Sequence, residues 1–243
     1  MYLCRVIRID NLSIGYRQRR HSVPVASGLC AEAADGLLIC LTGVNGVGKS
    51  TLLKTVCGFM PPLSGEVLIG SDDGVRRVSE MSRQELSQRI GVVLTGRTEL
   101  THLTVLDVVG MGRTPYTGLF GNLSDADNKA VEQAIAMTGI AQLSERYADT
   151  LSDGERQKVM IAKALAQQTP VIILDEPSAF LDYPSKEELM RLLQRLAHDE
   201  GKTILLSSHD LDIVSRTADG FWIMEKENGK VLIRQEKTLA VFP

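Results

Sequence analysis

Residues 43–51 constrain the fold of this 243-residue chain more than any other segment. They read GVNGVGKST, so that Lys49 and Ser50 follow the spacing Gly-x-x-x-x-Gly. Glycines at these positions let backbone N–H groups turn inward onto phosphate oxygens, and the start of a following helix adds the positive end of its dipole. Lys49 can then reach the β- and γ-phosphates, and the Ser50 hydroxyl can bind Mg²⁺. The segment therefore predicts a nucleoside triphosphate site.

The sequence on either side of this segment predicts an α/β fold. Leu37–Leu41 is a continuous apolar run, typical of a strand buried on both faces, and Leu52–Gly58 has the pattern of a short helix. Residues 2–10 and 22–33 alternate apolar and polar side chains, which predicts antiparallel strands with one wet face. Further strands are predicted at residues 65–70, 90–94, 171–174, 203–206, 221–225 and 231–234.

The middle of the chain is predicted to be helical. Ser124, with Asp127 three residues later, has the pattern of a capping box, and apolar side chains follow at helical spacing. A second helix is predicted over residues 154–168, and a third from Ser185 with Glu188 in the capping-box position.

The helical middle is best explained as an insertion within one unit, because the chain has no internal repeat or low-complexity linker. We expect a single domain over residues 1–243. A helical subdomain at about 95–168 would separate two stretches, about 1–94 and about 169–243, that form the α/β core and an antiparallel β subdomain.

Charge and composition narrow the classes of partner. The chain has 27 Lys and Arg against 30 Asp and Glu, whereas a nucleic-acid binder usually has a basic face, so we expect no nucleic-acid partner. The longest apolar runs fall far short of the roughly 18 residues that a spanning helix needs. The cysteines form no Cys-x-x-Cys pair and lie among aliphatic residues, which predicts buried reduced thiols and favours the cytosol. They are Cys4, Cys30, Cys40 and Cys57.

Two carboxylates follow an apolar strand late in the chain. Val171–Leu174 leads directly into Asp175 and Glu176. Alone, an acidic pair at a strand end is more often a solvated turn, but the glycine-rich segment upstream reverses that preference. Carboxylate oxygens beside a phosphate site suit Mg²⁺ and the polarisation of water. We therefore predict that Asp175 binds the metal with Ser50 and that Glu176 is the general base.

The segment just before that strand carries a family resemblance. Residues 151–157 read LSDGERQ; by themselves they predict a helix start, with Ser152 near the N-cap. The segment closely resembles the LSGGQ signature of ATP-binding cassette (ABC) proteins, with Asp153 in place of a glycine. Three more features resemble that family. They are residues 178–182 (SAFLD, its D-loop), His209 (its switch histidine) and Tyr16 (its adenine-stacking aromatic).

The resemblance implies a P-loop NTPase of the ABC ATPase fold, with ATP and Mg²⁺ as cofactors. In that family two cassettes pair head to tail, so that Ser152 and Gly154 of one chain would contact the γ-phosphate held by the other. Glu176 with His209 would hydrolyse ATP. A chain with one phosphate loop and one signature needs a partner cassette, expected to be a copy of itself. The implied nucleotide-binding residues are Tyr16, Gly43, Asn45, Gly46, Gly48, Lys49, Ser50, Thr51, Ser152, Gly154 and Asp182.

One departure from the family pattern concerns the metal. Cassettes usually carry a glutamine after the strand that here ends at Leu94, where it touches Mg²⁺ and the attacking water, and this chain has Thr95. A threonine hydroxyl is too short to span the same distance. The resemblance therefore predicts either a bridging water or a differently completed metal site, with reduced basal hydrolysis and retained coupling.

Several classes of cassette protein remain open: an importer ATPase, a DNA-repair or chromosome-organising ATPase, and a translation factor. The chain has no long coiled coil between its phosphate loop and signature and only one phosphate loop, which favours an importer. Residues 109–121 (VGMGRTPYTGLFG), with LSDAD at residues 123–127, are similar to the helical domain of iron-chelate and cobalamin importer ATPases.

That similarity implies uptake of a ferric siderophore, haem or cobalamin through a separate integral membrane permease dimer, which an external substrate-binding protein supplies. The ATPase would lie at the cytoplasmic face of the inner membrane, with residues 109–121 facing the permease. The alternative is a soluble cassette ATPase that acts outside transport, such as in DNA repair.

Overall fold

The structure, a computed structural model, describes residues 5–17, 21–71, 74–94, 100–118 and 121–239. Strands from the N-terminal and C-terminal parts of the chain form two sheets. Within these residues the strands are β1 (Arg5–Arg17), β2 (Ser22–Ala34), β3 (Leu38–Gly43), β4 (Ser64–Ser71), β5 (Gly74–Arg77), β6 (Ile90–Val93), β7 (Val171–Leu174), β8 (Thr203–Ser207), β9 (Gly220–Glu227) and β10 (Lys230–Glu236).

Seven α-helices lie in the same described residues, several of them in the middle of the chain. They are α1 (Lys49–Val56), α2 (Arg83–Ser87), α3 (Val105–Gly110), α4 (Asp125–Thr138), α5 (Asp153–Ala166), α6 (Tyr183–His198) and α7 (Leu211–Thr217). Short 3-10 helices lie at Val78–Glu80, Met111–Arg113, Ala141–Leu143 and Ala148–Thr150.

The larger sheet has the strand order β10-β9-β3-β8-β7-β6 and is parallel except for β10. Because parallel strands end at one edge, the carboxyl ends of β3, β8 and β7 lie side by side. The candidate functional residues follow these strand ends. The smaller sheet, β2-β1-β4-β5, is antiparallel, as the alternation of residues 2–10 and 22–33 predicts.

Two hydrophobic cores cover the two faces of the larger sheet. On β3, Leu38 and Cys40 pack into a core that includes α4, α5 and α6, whereas Ile39 and Leu41 pack into a core shared with the antiparallel sheet and α1. Burial on both faces explains why the parallel strands are continuous apolar runs in the sequence. No helix of the described residues is long and apolar enough to cross a bilayer.

The cysteine prediction is wrong at one position. Cys30 is exposed, because it lies on the outward face of β2 between the buried residues Leu29 and Ala31. Cys40 and Cys57 are buried, and burial raises the pKa of both thiols to about 12. Cys4 lies outside the described residues.

Several helices begin at a side-chain cap, and the sequence predicted the cap of α4 correctly and that of α6 incorrectly. The capping box at α4 is confirmed: Ser124 accepts the Asp127 N–H, and Asp127 accepts the Ser124 N–H. The prediction that α6 begins at Ser185 is wrong. The helix begins at Tyr183, with Asp182 as its N-cap, because the Asp182 carboxylate accepts the Ser185 N–H and a proline fits the first turn.

Candidate functional site

The glycine-rich segment forms a loop between β3 and α1, as its pattern predicts. Gly43, Gly46 and Gly48 all have positive φ, which a side chain would strain. At Gly43, moreover, a Cβ atom would lie 2.2 Å from the Met224 carbonyl oxygen. No side chain caps the first turn of α1, so its N–H groups face the loop without a side-chain acceptor. A helix start of this kind favours an anion.

Lys49 is the buried cation of this loop. Its ammonium Nζ donates to the Gly43 carbonyl oxygen at 2.8 Å and lies 3.4 Å from that of Val44. Burial lowers the pKa of Lys49, against the opposing effect of Glu176 and Asp175. Asn45 in the same loop is exposed.

Tyr16 lies beside the loop on β1. It is half-exposed, and its hydroxyl lies 3.3 Å from Oγ1 of Thr51, which is buried in the first turn of α1. The ring therefore borders the loop and is partly exposed to solvent.

Asp175 lies at the carboxyl end of β7 and meets the loop. Its Oδ1 atom is 3.3 Å from Ser50 Oγ and accepts a hydrogen bond of 2.7 Å from Ser207 Oγ. A hydroxyl and a carboxylate are the hard oxygen donors that suit Mg²⁺. The described residues contain no group of three or more His, Cys, Asp or Glu that could hold a metal.

Glu176 points to a different partner from its neighbour. Its Oε1 atom lies 2.9 Å from Nε2 of His209, which follows β8. Burial raises the pKa of Glu176, although His209 and Lys49 act in the opposite direction. A carboxylate with a raised pKa beside a phosphate-type loop is suited to accept a proton from water.

The signature residues form a second polar group at the start of α5. The Ser152 hydroxyl accepts the Glu155 N–H at 3.3 Å, and the Glu155 carboxylate accepts both the N–H and the hydroxyl of Ser152 at 2.9 Å. These bonds lower the pKa of Glu155. At Gly154 a Cβ atom would lie 3.4 Å from Ser185 Oγ, which is an ordinary van der Waals contact.

Ser152 and Asp182 are thus engaged within their own helix caps. Among the described residues, their side-chain hydrogen bonds go to the N-termini of α5 and α6, while Ser50, Asp175, Glu176 and His209 form the other group. Thr95 lies outside the described residues, so its predicted place at the metal stays a prediction.

The sequence did not predict a group of hydrogen-bonded side chains around Asp210, the residue after His209. The Asp210 carboxylate accepts a hydrogen bond from Ser178 at 2.8 Å and one from Lys186 at 2.9 Å. Burial favours the neutral form of Asp210, but the bonds from Lys186 and Ser178 outweigh it and lower its pKa. These bonds tie residues 178–182 and α6 to the segment that carries His209. The only signal in the sequence is an Asp directly after that histidine.

Arg113, within residues 109–121, forms a buried ion pair with Asp127 of α4 that the sequence did not reveal. Arg113 is 5% exposed, and its Nε donates to Asp127 Oδ1 at 2.8 Å. Its Nη1 donates to the Ala166 carbonyl oxygen at 2.7 Å and to Gln168 Oε1 at 2.9 Å. The guanidinium is 4.1 Å from the centre of the Tyr116 ring. We call Arg113, Asp127, Tyr116 and Gln168 the arginine cluster.

The arginine cluster explains why Gly-Arg-x-Pro-Tyr occurs together with Leu-Ser-x-x-Asp. Asp127 both caps α4 and pairs with Arg113, and the Tyr116 hydroxyl donates to the Gln167 carbonyl oxygen at 2.9 Å. At Gly112 a Cβ atom would lie 2.2 Å from the Lys163 carbonyl oxygen, so only glycine allows this approach to α5. The two motifs fasten α4 and the segment after α3 to the end of α5.

A glycine-rich loop between a buried parallel strand and a helix, with carboxylates at the end of the next strand but one, defines a P-loop nucleotide-binding protein. Residues 28–179 match the family described as ABC transporter, and the chain belongs to this family. Membership confirms the predicted cassette fold and the prediction of an ATP-binding, ATP-hydrolysing domain.

Relatives of known role point to import. The ferric enterobactin transport ATP-binding protein of Escherichia coli K12 is 35% identical over 87% of this chain and 75% of its own length. The cobalamin import ATP-binding protein of Halobacterium salinarum is 41% identical over 78% of this chain, which spans only 46% of that relative.

The fold is also found in a solved dimer. A structure described as the dimeric structure of a bacterial ABC transporter cassette has a TM-score of 0.75 and 26% identity, and covers 95% of this chain and 98% of that one.

Proposed function

We propose that the chain is the ATP-hydrolysing subunit of an importer for an iron chelate or cobalamin. The observation that carries the hydrolytic part is the 2.9 Å contact between Glu176 and His209, beside the Ser50 and Asp175 oxygens. Phosphoryl transfer to water needs little covalent chemistry from the protein and depends on positioning and charge, which this edge of the sheet supplies.

ATP binding rests on the loop. Lys49 would turn from the Gly43 carbonyl oxygen to the β- and γ-phosphates, and the first-turn N–H groups of α1 would hold phosphate oxygens. The partly exposed Tyr16 ring would stack on the adenine ring. Gly43, Asn45, Gly46, Gly48 and Thr51 complete the proposed binding segment.

Hydrolysis would depend on the two neighbouring carboxylates. Asp175 and Ser50 would hold Mg²⁺, which supplies charge neutralisation at the phosphate oxygens. Glu176 would accept the proton of the attacking water, and its raised pKa fits that role. His209, in contact with Glu176 Oε1, would fix the direction of the carboxylate.

The site is completed by a second copy of the chain. Ser152, Gly154 and Asp182 of one copy would face the ATP held by Lys49 of the other, which fits a dimeric relative in the same family. For Ser152 this contact has a structural condition: its hydroxyl and N–H are bonded to Glu155. The γ-phosphate would replace the Glu155 carboxylate at the start of α5.

The transported cargo is inferred from two relatives, a ferric enterobactin transport ATP-binding protein and a cobalamin import ATP-binding protein. Exposed apolar side chains of the helical region, namely Leu106, Met111 and Leu123, border one groove beside residues 109–121. We propose that this face contacts an integral membrane permease dimer, that the ATPase lies at the cytoplasmic face of the membrane, and that an external binding protein delivers the cargo.

Transport in vesicles tests this proposal. The chain is purified with its permease, reconstituted in proteoliposomes and supplied in turn with a ferric siderophore, ferric haem and cobalamin with their binding proteins. We expect ATP-dependent uptake of one of these ligands, and none with Lys49→Ala. ATP turnover that responds to none of them, but is stimulated by DNA in a salt-sensitive way, would contradict import and favour the repair alternative.

The threonine at position 95 is tested separately. We propose that it reduces basal hydrolysis while coupling is retained. Thr95→Gln should raise the basal ATPase rate above that of the wild type, and equal rates would refute the idea.

A further inference from the structure

Ser207 lies between the two carboxylates that the proposed function uses. It is the last residue of β8 and is 0% exposed. Its hydroxyl Oγ is 2.7 Å from Asp175 Oδ1 and 2.8 Å from the backbone N of Glu176. The pairing of β7 with β8 brings these groups together, although they are about thirty residues apart in the sequence.

The roles of the three groups follow from their chemistry. A serine hydroxyl has one proton to donate and two lone pairs to accept. A carboxylate can only accept and a backbone N–H can only donate. Ser207 therefore donates its proton to Asp175 and accepts the N–H of Glu176, and both bonds are satisfied at once.

The second bond acts on an unusual backbone conformation. Glu176 has φ of 50°, in the left-handed region that residues with a Cβ adopt rarely. This turn directs Asp175 towards Ser50 and Glu176 towards His209. Such conformations persist where neighbouring groups stabilise them, and here the Ser207 hydroxyl accepts the backbone N–H of Glu176.

We propose that Ser207 is a positioning residue for ATP hydrolysis, through which one buried hydroxyl sets both the metal-binding oxygen of Asp175 and the backbone turn that aims Glu176. The inference rests on the proposed function, because Ser207 is assigned no contact with ATP and acts only through the proposed roles of Asp175 and Glu176. Ser207 acts through Asp175 and Glu176, so its loss should lower the rate of the chemical step and leave the loop around Lys49 intact.

Thr203 provides a matched control at the other end of the same strand. It is also 0% exposed, and its hydroxyl likewise accepts a backbone N–H, that of Gly36 at 3.1 Å, and donates to a carboxylate, that of Asp35 at 3.3 Å. Thr203→Val removes the same pattern of bonds at the strand end opposite to Asp175. It measures what the loss of a buried hydroxyl from β8 does to folding alone.

The experiment compares the wild type with Ser207→Ala, Ser207→Thr, Thr203→Val and Glu176→Gln. For each, kcat and KM for ATP are measured, together with the affinity for a fluorescent ATP analogue with and without Mg²⁺ and the urea midpoint of unfolding. We expect Ser207→Ala to lower kcat about 10- to 100-fold, as loss of a group that orients metal ligands does. The affinity without Mg²⁺ should stay at the wild-type value, whereas the gain in affinity on adding Mg²⁺ should shrink and KM, measured with Mg²⁺, should rise with it.

Ser207→Thr should restore kcat, because it keeps the hydroxyl, and Thr203→Val should lower only the urea midpoint. A Ser207→Ala protein with wild-type kcat, beside an inactive Glu176→Gln protein, would overturn the role of Ser207 and leave the proposed function standing. A loss of kcat in Thr203→Val as large as that in Ser207→Ala would overturn the role of Ser207 in the same way. If Glu176→Gln hydrolyses ATP at the wild-type rate, the proposed function fails and the role of Ser207 fails with it.

Discussion

The carboxylates of Glu176 and Asp127 are both largely shielded from solvent and both meet a basic side chain, yet their pKa values move in opposite directions. At Glu176, burial outweighs His209 and Lys49 and raises the pKa. At Asp127, bonds from the hydroxyl and N–H of Ser124, with the guanidinium of Arg113, lower the pKa to about 2.

The direction of the pKa shift distinguishes Glu176, a carboxylate suited to proton transfer, from Asp127, a carboxylate that stabilises the fold. Three donors bond the Asp127 carboxylate, two at Oδ2 and one at Oδ1, so the charged form is stabilised and no proton is exchanged near neutral pH. Burial dominates at Glu176 and raises its pKa, which leaves the carboxylate able to take up a proton. Mutations should therefore change turnover in one region and stability in the other.

The largest effect is expected at Glu176. Glu176→Gln removes the proton acceptor but keeps the size of the side chain, so kcat for ATP should fall about 10²- to 10⁴-fold. ATP binding should persist, because Lys49 and the loop are unchanged. Steady-state ATPase and equilibrium binding measure the two quantities. Glu187→Gln, which alters a surface pair with Arg191, is the matched control, and its kcat should equal that of the wild type.

Loss of the buried cation in the arginine cluster should act on stability. Arg113→Met leaves Asp127 without its buried ionic partner and should lower the free energy of unfolding by about 3 kcal/mol. Urea unfolding monitored by circular dichroism measures it. The control Arg191→Met removes an exposed ion pair and should cost less than about 1 kcal/mol. Equal costs for the two variants would contradict a structural role for the cluster.

Substitution of the loop lysine should weaken ATP binding without unfolding the chain. Lys49→Ala should raise the Kd for ATP about 30-fold or more, because loss of a buried charged partner costs about 2 kcal/mol or more. Isothermal titration gives the Kd. Lys54→Ala removes an exposed lysine from the last turn of the same helix and should leave the Kd unchanged. An unchanged Kd for Lys49→Ala would refute the assignment of the phosphate loop.

The smallest effect is a pH dependence at Asp127. Its pKa falls from the ordinary 3.8 to about 2 on folding, so the ionised carboxylate adds stability above pH 3.8. That contribution is lost as the pH falls from 3.8 to about 2. In urea unfolding, Asp127→Asn should be less stable than the wild type near neutral pH, and the gap should close over this acid range. A gap that does not depend on pH would contradict the charged pair.

The sequence best predicted the features that depend on residues close together in the chain. The phosphate loop, the Asp175-Glu176 pair and the cap of α4 are local patterns in which spacing alone places the groups. The order of the strands is not local, so nothing in the sequence indicated that Ser207 would lie against Asp175. The ion pair of Arg113 with Asp127 was not predicted, because the two residues lie on different elements. At α6, Asp182 and Ser185 are both residue types that can cap a helix, and the structure has Asp182 as the N-cap.

The most direct test of the account is the mass of Glu176→Gln in solution, measured by light scattering with and without ATP and Mg²⁺. If Glu176 is the base and a second copy completes the site, the variant should be a monomer without ATP and a stable dimer with it. The matched Lys49→Ala, Glu176→Gln double variant should stay monomeric. A Glu176→Gln protein that binds ATP and remains a monomer would contradict the shared site, and one that forms a dimer without nucleotide would contradict the role of ATP in its assembly.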